Sequence, residues 1–336
     1  MSLNLMFFKR SLVIATVLTL SLSGCAVVTD LLPQRTEKNF LTGKPGTNGP
    51  VLVVKIDDTT QAHPQIGLED ADVVYIEQVE GGLTRLAAVF SSVIPQRVGP
   101  VRSARISDID IVAQYGHIAF AYSGAQKKLL PVIAAANLQD LGAQHEGSSI
   151  YTTDSNRIPP YAMVLRADLL MQKVVEKKYS TDVAKNVGSI FGDLQEGGTP
   201  TTKVVMHWPA ATYSAQWSET EQRWLLEHNN NPNIAESGVH LGPSTLIIQM
   251  VSIIPSEYKD KLGGVTPLSQ TVGSGKAYVL RNGELFATTW NRPFEDSGTT
   301  FTLNNGEQMN FAPGQIWIAL TDREPDFTSR PTSKTK

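Results

Sequence analysis

This chain of 336 residues contains only one cysteine. It also lacks an excess of either sign of charge, since its formal net charge is −3. A single thiol cannot form an intramolecular disulfide, so the fold must be held by a large hydrophobic core. The near-neutral charge gives no overall electrostatic basis for binding nucleic acid. Hydrophobic residues make up 41% of the chain and charged residues 18%, which is typical of a packed globular protein rather than a disordered one.

Motifs for metal, phosphate and nucleophilic chemistry are missing as well. His63, His117 and His145 are scattered and lack the spacing of a zinc motif, and no phosphate-binding loop is complete. Ser123 follows a predicted strand, but a nucleophile elbow requires glycine two residues earlier, where Ala121 stands. We therefore predict no metal site and no cofactor, and we assign no catalytic residue.

The one cysteine, Cys25, follows Leu22-Ser23-Gly24 at the end of a short apolar stretch that begins after Lys9 and Arg10. That stretch is too short to cross a bilayer, and no later one reaches the ~18 residues of a transmembrane helix. The pattern resembles the signal of bacterial lipoproteins, in which the thiol is acylated, for example by palmitate, and becomes the new N-terminus. The alternative is an ordinary signal peptide with a chance cysteine. We predict a lipid anchor on Cys25 that holds the protein to the cell membrane, facing outside the cytoplasm.

The remaining sequence predicts an α+β fold, with a mixed α/β N-terminal domain followed by a mostly β C-terminal domain. Strand and helix patterns alternate in the first part, and short strand patterns follow a boundary rich in Gly and Pro. Asn282-Gly283, between two of these strands, is typical of a type I′ hairpin turn. The predicted segments are a signal peptide (1–24), a lipidated tether (25–50), the N-terminal domain (51–185), a linker (186–202), the β-rich C-terminal domain (203–322) and a flexible tail (323–336).

Charged residues interrupt the apolar strands of the predicted N-terminal domain. A charge on a buried sheet face is costly unless it is paired, so two interpretations stay open. In the first, Glu77 or Glu80 pairs with Arg85 across the Gly81-Gly82 turn, and the other arginines pair with nearby carboxylates. In the second, the charges line a cleft in which guanidinium groups bind an anion. The candidate ligand-binding or anion-binding residues are Asp57, Glu77, Glu80, Arg85, Arg102 and Arg105.

Several motifs resemble those of the YerB-like bacterial lipoproteins, a family described by an N-terminal and a C-terminal domain of unknown function. The motifs are Leu41–Gly43, Val54–Asp57, Pro64–Leu68, Asp70–Tyr75, Glu80–Arg85, Gly99–Arg105, Asn282-Gly283, Thr289-Trp290 with Arg292, and Pro313-Gly314 before Ile316-Trp317. The resemblance covers nearly the whole chain after the signal. It implies a lipoprotein with two domains and assigns a catalytic role to no residue.

Two functions are consistent with these features. The first is an accessory module, anchored to the membrane outside the cytoplasm, that binds a cell-wall component or an envelope protein. The second is an envelope hydrolase or transferase that acts on an anionic glycan or phosphodiester through the Asp/Glu/Arg cluster. The sequence leaves open whether the protein is an enzyme. The expected partners are the membrane, through the lipid on Cys25, and a wall polymer or envelope protein, but not nucleic acid.

Overall fold

The structure, a computed structural model, describes residues 37–330. The predicted signal peptide, Cys25 and the first part of the predicted tether lie outside the described residues, as do residues 331–336. From Lys38 onward the described chain forms one compact unit. Within it, no helix is both long and apolar enough to cross a membrane.

Strands dominate the described residues, which contain three α-helices and 21 strands. The helices are α1 (Ile106–Ala113), α2 (Leu130–Ala135) and α3 (Ala167–Lys177). The first eight strands are β1 (Leu52–Asp57), β2 (Val73–Gln78), β3 (Thr84–Phe90), β4 (Ile118–Ala121), β5 (Leu138–Asp140), β6 (Tyr151–Thr153), β7 (Met163–Leu165) and β8 (Ile190–Phe191). The others are β9 (Thr199–Trp208), β10 (Ala211–Ser218), β11 (Arg223–His228), β12 (Asn231–Pro232), β13 (Thr245–Met250), β14 (Ile253–Lys259), β15 (Val265–Ser269), β16 (Gly273–Arg281), β17 (Glu284–Arg292), β18 (Thr300–Leu303), β19 (Asn310–Phe311), β20 (Ile316–Thr321) and β21 (Asp326–Ser329).

Most of these strands belong to one mixed sheet of 15 strands. Its order is β12-β11-β10-β9-β17-β16-β13-β20-β2-β3-β1-β4-β5, with β18 paired to β17 and β21 paired to β9. The earlier and later parts of the chain meet where β2 pairs in parallel with β20, from Val73 opposite Ile316 to Ile76 opposite Ala319. The pairs β14-β15, β8-β19 and β6-β7 form separate two-stranded sheets.

The sheet is buried on both faces around β1, because successive side chains of a strand point to opposite sides. Leu52 and Val54 belong to one hydrophobic core, together with Leu170 of α3. Val53 belongs to the other core, which includes Ile111 of α1. These two faces carry the two polar clusters described below.

The described chain is mostly β. The α+β prediction is therefore confirmed only in part, because the structure contains less helix than a mixed α/β N-terminal domain implies. The run Ser123-Gly124-Ala125-Gln126 resembles a helix-capping box, but the helix begins only at Leu130. Pro131 explains the late start, because proline lacks a backbone N–H and is accommodated in the first turn of a helix.

Three segments predicted as tether, linker and tail contain ordered structure. Leu41, in the predicted tether, is buried in the same core as Val53. β8 lies inside the predicted linker, and β21 lies in the predicted tail, where it pairs with β9. Burial in a core stabilises an apolar side chain, and pairing with a neighbour satisfies the backbone groups of a strand edge. Composition alone does not reveal such partners. The division into two domains stays a prediction, and one sheet runs through both parts.

Candidate functional site

The sheet face that packs against α1 changes from apolar to charged where β1 and β2 end and β3 begins. Asp57 lies opposite Arg85 in the β1-β3 pair, and Arg85 lies opposite Glu77 in the β3-β2 pair. Lys55, two residues before Asp57, points to the same face. The strand register therefore brings charged residues from distant parts of the sequence into one row.

Lys55, Glu77 and Asp108 form a fully buried ion cluster. The Lys55 ammonium donates to Glu77 and, over 2.8 Å, to Asp108 Oδ1. Asp108 Oδ2 accepts the backbone N–H of Arg105 at 2.6 Å and so caps α1. Burial and the nearby Asp108 raise the pKa of Glu77 to about 7. Glu77 is thus withdrawn from solvent and bound to an internal lysine.

The pairing of Glu77 or Glu80 with Arg85 across the Gly81-Gly82 turn does not form. Among the described residues, no carboxylate lies within 4.0 Å of the Arg85 guanidinium, which donates instead to the Ser103 carbonyl oxygen at 2.8 Å. Glu80 is 2.8 Å from the Nε of Arg105. Arg105 and Arg102 each pair with an upstream carboxylate, Glu80 and Asp57, as the first interpretation predicted. Among the described residues, Arg85 is left without a carboxylate partner.

Arg85, Arg102 and Arg105 line one open cleft of about 380 Å³, which we call the arginine cleft. Its other lining residues are Ser103, Ala125, Gln126, Asp260, Lys261 and Leu262. Asp57, at the base of the cluster, has its Oδ2 at 2.7 Å from the Arg102 Nε. With Lys261 and Asp260, which also line the cleft, the cluster holds four cationic side chains and three carboxylates, those of Asp57, Glu80 and Asp260, so it carries one excess positive charge.

Arg102 has the largest unused hydrogen-bonding capacity in this cluster. Its Nε is not aligned with Asp57 for a hydrogen bond, and its guanidinium makes no other hydrogen bond among the described residues. The side chain is 25% exposed, and the ring of Tyr161 lies 5.9 Å from it. A second cavity, of about 250 Å³, is also lined by Arg102 together with Ser123. Arg102 can therefore donate to a ligand in either cavity.

The charges of the cleft repel one another. Burial, followed by repulsion from Arg105 and Arg102, lowers the pKa of Arg85 to about 10. Burial by itself raises the pKa of Glu80, but Arg105 and a hydrogen bond from Thr266 lower it overall. Glu80 is therefore ionised and Arg85 is cationic at neutral pH, and a bound anion would reduce the repulsion among the three guanidinium groups.

Asp58 follows Asp57 directly but lies on the opposite face of the sheet, in a second polar cluster. Its two oxygens accept hydrogen bonds from the hydroxyls of Tyr213 and Thr84, each at 2.6 Å. The Nε2 of His63 is 3.3 Å from Oδ1, and the Nε2 of His228 is 3.9 Å from Oδ2. Sequence reasoning missed this cluster, because no motif spacing connects His228 with residues so far along the chain.

Glu77 gives the protein a predictable pH dependence. Since its pKa is raised from 4.5 to about 7 in the folded state, the folded protein binds this proton more tightly than the unfolded chain does. Stability should fall by about 3 kcal/mol as the pH rises from about 4.5 to 7, and this contribution should stay constant above pH 7. Urea unfolding of Glu77→Gln between pH 5 and 8 should lack this fall. The control is Glu176→Gln, an exposed change on α3, whose stability should vary with pH as that of the wild type does. If the wild type and both variants show the same dependence of stability on pH, Glu77 is not its cause.

Two family models match the parts of the chain that build these clusters. The N-terminal domain of DUF3048, a protein of unknown function, matches residues 41–180, and the DUF3048 C-terminal domain matches residues 204–318. The chain belongs to the DUF3048 family, which confirms the predicted family resemblance.

One relative and one solved structure are also similar to this chain. The relative is described as "Putative lipoprotein YerB" of Bacillus subtilis (strain 168) and is 23% identical over 299 residues, which cover 85% of this chain and 84% of that protein. The crystal structure of YerB protein from Bacillus subtilis matches with a TM-score of 0.73 at 19% identity, over 87% of this chain and 100% of that chain. The structural match shows that the two proteins share a fold.

Proposed function

We propose that this protein is a lipid-anchored envelope protein that binds an anionic component of the cell wall in the arginine cleft. The description of its relative as a lipoprotein and the signal that ends at Cys25 support the anchor, although Cys25 lies outside the described residues. The observation that carries the binding proposal is the partly exposed guanidinium of Arg102, which lies between two cavities and, apart from its ion pair with Asp57, has no hydrogen-bond partner among the described residues.

The chemistry of the cleft fits phosphate or carboxylate groups. A guanidinium group presents parallel N–H donors that match the oxygens of both anions. Arg85 of β3 has no carboxylate within 4.0 Å in the described part of the chain, and Arg102, in the loop before α1, keeps free donors there. Both line the cleft and offer such groups. A polymer that repeats phosphodiester or carboxylate groups is therefore the class of ligand that we propose.

An envelope hydrolase or transferase has less support. General acid–base chemistry requires a carboxyl group within reach of the substrate. Glu77 is fully buried, while Asp57 and Glu80 are held by Arg102 and Arg105. These pairings favour a role for the carboxylates in positioning the arginines rather than in proton transfer.

The binding proposal predicts a loss of affinity in Arg102→Gln. A charge-assisted hydrogen bond contributes ~1.5–3 kcal/mol, so the affinity for poly(glycerol phosphate) should fall about tenfold or more. Calorimetric titration of the full chain in detergent measures this change, and added salt should weaken wild-type binding. Arg97→Gln is the matched control, because Arg97 is also a partly exposed arginine in an ion pair, with Glu236 at 3.2 Å, but does not line the cleft.

The buried partner of Arg102 requires a second variant. Removal of Arg102 leaves Asp57 without its counter-charge, which is destabilising by itself. Arg102→Gln combined with Asp57→Asn removes both charges, so its melting temperature should be closer to that of the wild type while binding stays weak. Wild-type affinity in the double variant, or failure of the wild type to bind any phosphate-bearing or carboxylate-bearing wall polymer, would refute the proposal.

A further inference from the structure

We propose that Asp58, His63, Gln65 and His228 form a site for one divalent transition-metal ion, which we call the histidine site. It lies on the sheet face opposite the arginine cleft and is independent of the proposed anion binding. Asp58 follows the end of β1, His63 and Gln65 follow in the next loop, and His228 ends β11. The proposed metal ligands therefore come from both the predicted N-terminal and the predicted C-terminal domain.

Three side-chain positions of the histidine site have the spacing of metal ligands, and the third is held by the Gln65 amide nitrogen, which donates a hydrogen bond there. The Nε2 of His63 is 3.3 Å from Asp58 Oδ1 and 3.1 Å from Gln65 Nε2, and Gln65 Nε2 is 3.2 Å from Asp58 Oδ1. Zinc bonds to nitrogen and oxygen place tetrahedral ligands about 3.3 Å from one another. The triangle of atoms thus matches one face of such a polyhedron.

His228 supplies the fourth group. Its Nε2 is 3.9 Å from Asp58 Oδ2, and the donor atoms of Asp58, His63 and His228 all lie within 4.8 Å of one another. The rings of His63 and His228 are stacked, with centroids 4.5 Å apart, and the Nε2 of each lies within 4.0 Å of the Asp58 carboxylate. One ion between them would ligate both imidazoles.

Gln65 provides an independent indication of a missing ligand. The residue is fully buried, and its Oε1 has no hydrogen-bond partner among the described residues, although a buried acceptor normally has one. A 180° rotation of the amide would place Oε1 where Nε2 now lies, beside Asp58 and His63. The amide then offers an oxygen ligand to a cation, while in the metal-free protein its N–H group donates to Asp58.

The charge of Asp58 points to the same conclusion. Asp58 is buried, and among residues 37–330 no lysine or arginine lies within 4.0 Å of its carboxylate. A buried carboxylate normally has a counter-charge, which a bound cation would supply. The hydroxyls of Tyr213 and Thr84 fix its orientation, as outer hydrogen bonds do for metal-ligating carboxylates.

The donor set selects the kind of metal. Two imidazoles, one carboxylate and one amide oxygen suit zinc and other borderline transition metals, whereas calcium and magnesium prefer ligand sets made of oxygen alone. The side chain of His63 is 18% exposed, so an ion can reach the site from its side. Because the ligands join β1 to β11, a bound ion would stabilise the folded protein.

The test is a titration of the full chain, purified in detergent and stripped with a chelator. We expect about one equivalent of Zn²⁺ by elemental analysis, absorption bands of low-coordinate Co²⁺, and no comparable binding of Mg²⁺ or Ca²⁺. At saturating zinc the melting temperature should rise by about 5 °C. If the wild-type chain does not bind zinc stoichiometrically, the proposal is wrong, whatever results the variants give.

Variants assign the bound ion to these residues. His63→Ala should abolish stoichiometric binding, and Gln65→Leu should weaken it about tenfold or more. His145→Ala is the matched control, because His145 also forms a histidine–aspartate pair, with Asp140 at 3.1 Å, but at an exposed position. Circular dichroism establishes that each variant is folded. Unchanged zinc affinity in both His63→Ala and Gln65→Leu would overturn the proposal, and Arg102→Gln should bind zinc normally.

Discussion

Replacing Lys55 with methionine is expected to destabilise the protein by about 3–5 kcal/mol, because the change leaves Glu77 and Asp108 buried without a cation. The side chains of all three residues are inaccessible to solvent, so water cannot replace the lost interaction. Methionine has a length similar to that of lysine, and the packing defect is therefore small. Urea unfolding followed by tryptophan fluorescence measures the loss.

The control for Lys55→Met is Lys276→Met. Lys276 also pairs with a carboxylate, Glu324 at 2.9 Å, but both side chains are more than half exposed. An exposed pair contributes about 0–1 kcal/mol, so this variant should be nearly neutral. Adding Glu77→Gln and Asp108→Asn to Lys55→Met removes all three charges and should restore much of the stability. Equal small losses for the two lysine variants would contradict the role of burial.

Arg292→Met is expected to cost a similar amount, about 3–5 kcal/mol, for a different reason. Arg292 is fully buried and has no carboxylate within 4.0 Å among the described residues. Its guanidinium donates instead to the Thr271 hydroxyl and to backbone carbonyl oxygens, one of which belongs to Asp110 in α1. The other two carbonyl acceptors are those of Glu295 and Ser297. Methionine would leave the buried Thr271 hydroxyl and the three partly buried carbonyl oxygens without this donor.

The geometry of the guanidinium can be separated from its charge. Arg292→Lys keeps the charge but cannot reach all the acceptors at once, so its stability should lie between those of the wild type and Arg292→Met. Arg330→Met is the control, since Arg330 is 42% exposed in its pair with Glu219. We expect a change below about 1 kcal/mol for Arg330→Met by urea unfolding. If Arg292→Met is as stable as this control, the buried guanidinium does not link α1 to β17.

Much of the local structure could be predicted from the sequence. The β-branched run at residues 51–56 is typical of a strand and coincides with β1, and the apolar spacing at residues 167–179 is typical of a helix and coincides with α3. The Asn282-Gly283 turn is also confirmed, since both residues have positive φ, 51° and 73°, between the paired strands β16 and β17. These elements depend on side-chain periodicity and on backbone conformations that glycine and asparagine tolerate, which are local properties.

Partner choice among the charged residues could not be predicted in the same way. Glu77 and Arg85 are opposite each other in β2 and β3, as the hairpin pattern suggested, yet each has other partners. Lys55 comes from β1, and Arg105 comes from the loop before α1. Which cation reaches which carboxylate depends on strand order and on how α1 packs over the sheet.

By itself, the sequence predicted a lipoprotein-type signal ending at Cys25. It also determined that a chain with one cysteine forms no intramolecular disulfide and that it contains the motifs of its family. Only the tertiary structure decided that Asp57 and Asp58, adjacent in sequence, serve two different clusters. The reason is the alternation of a strand, which directs successive side chains to opposite faces. One face receives the arginines of the cleft, and the other receives His228 from a strand far along the chain.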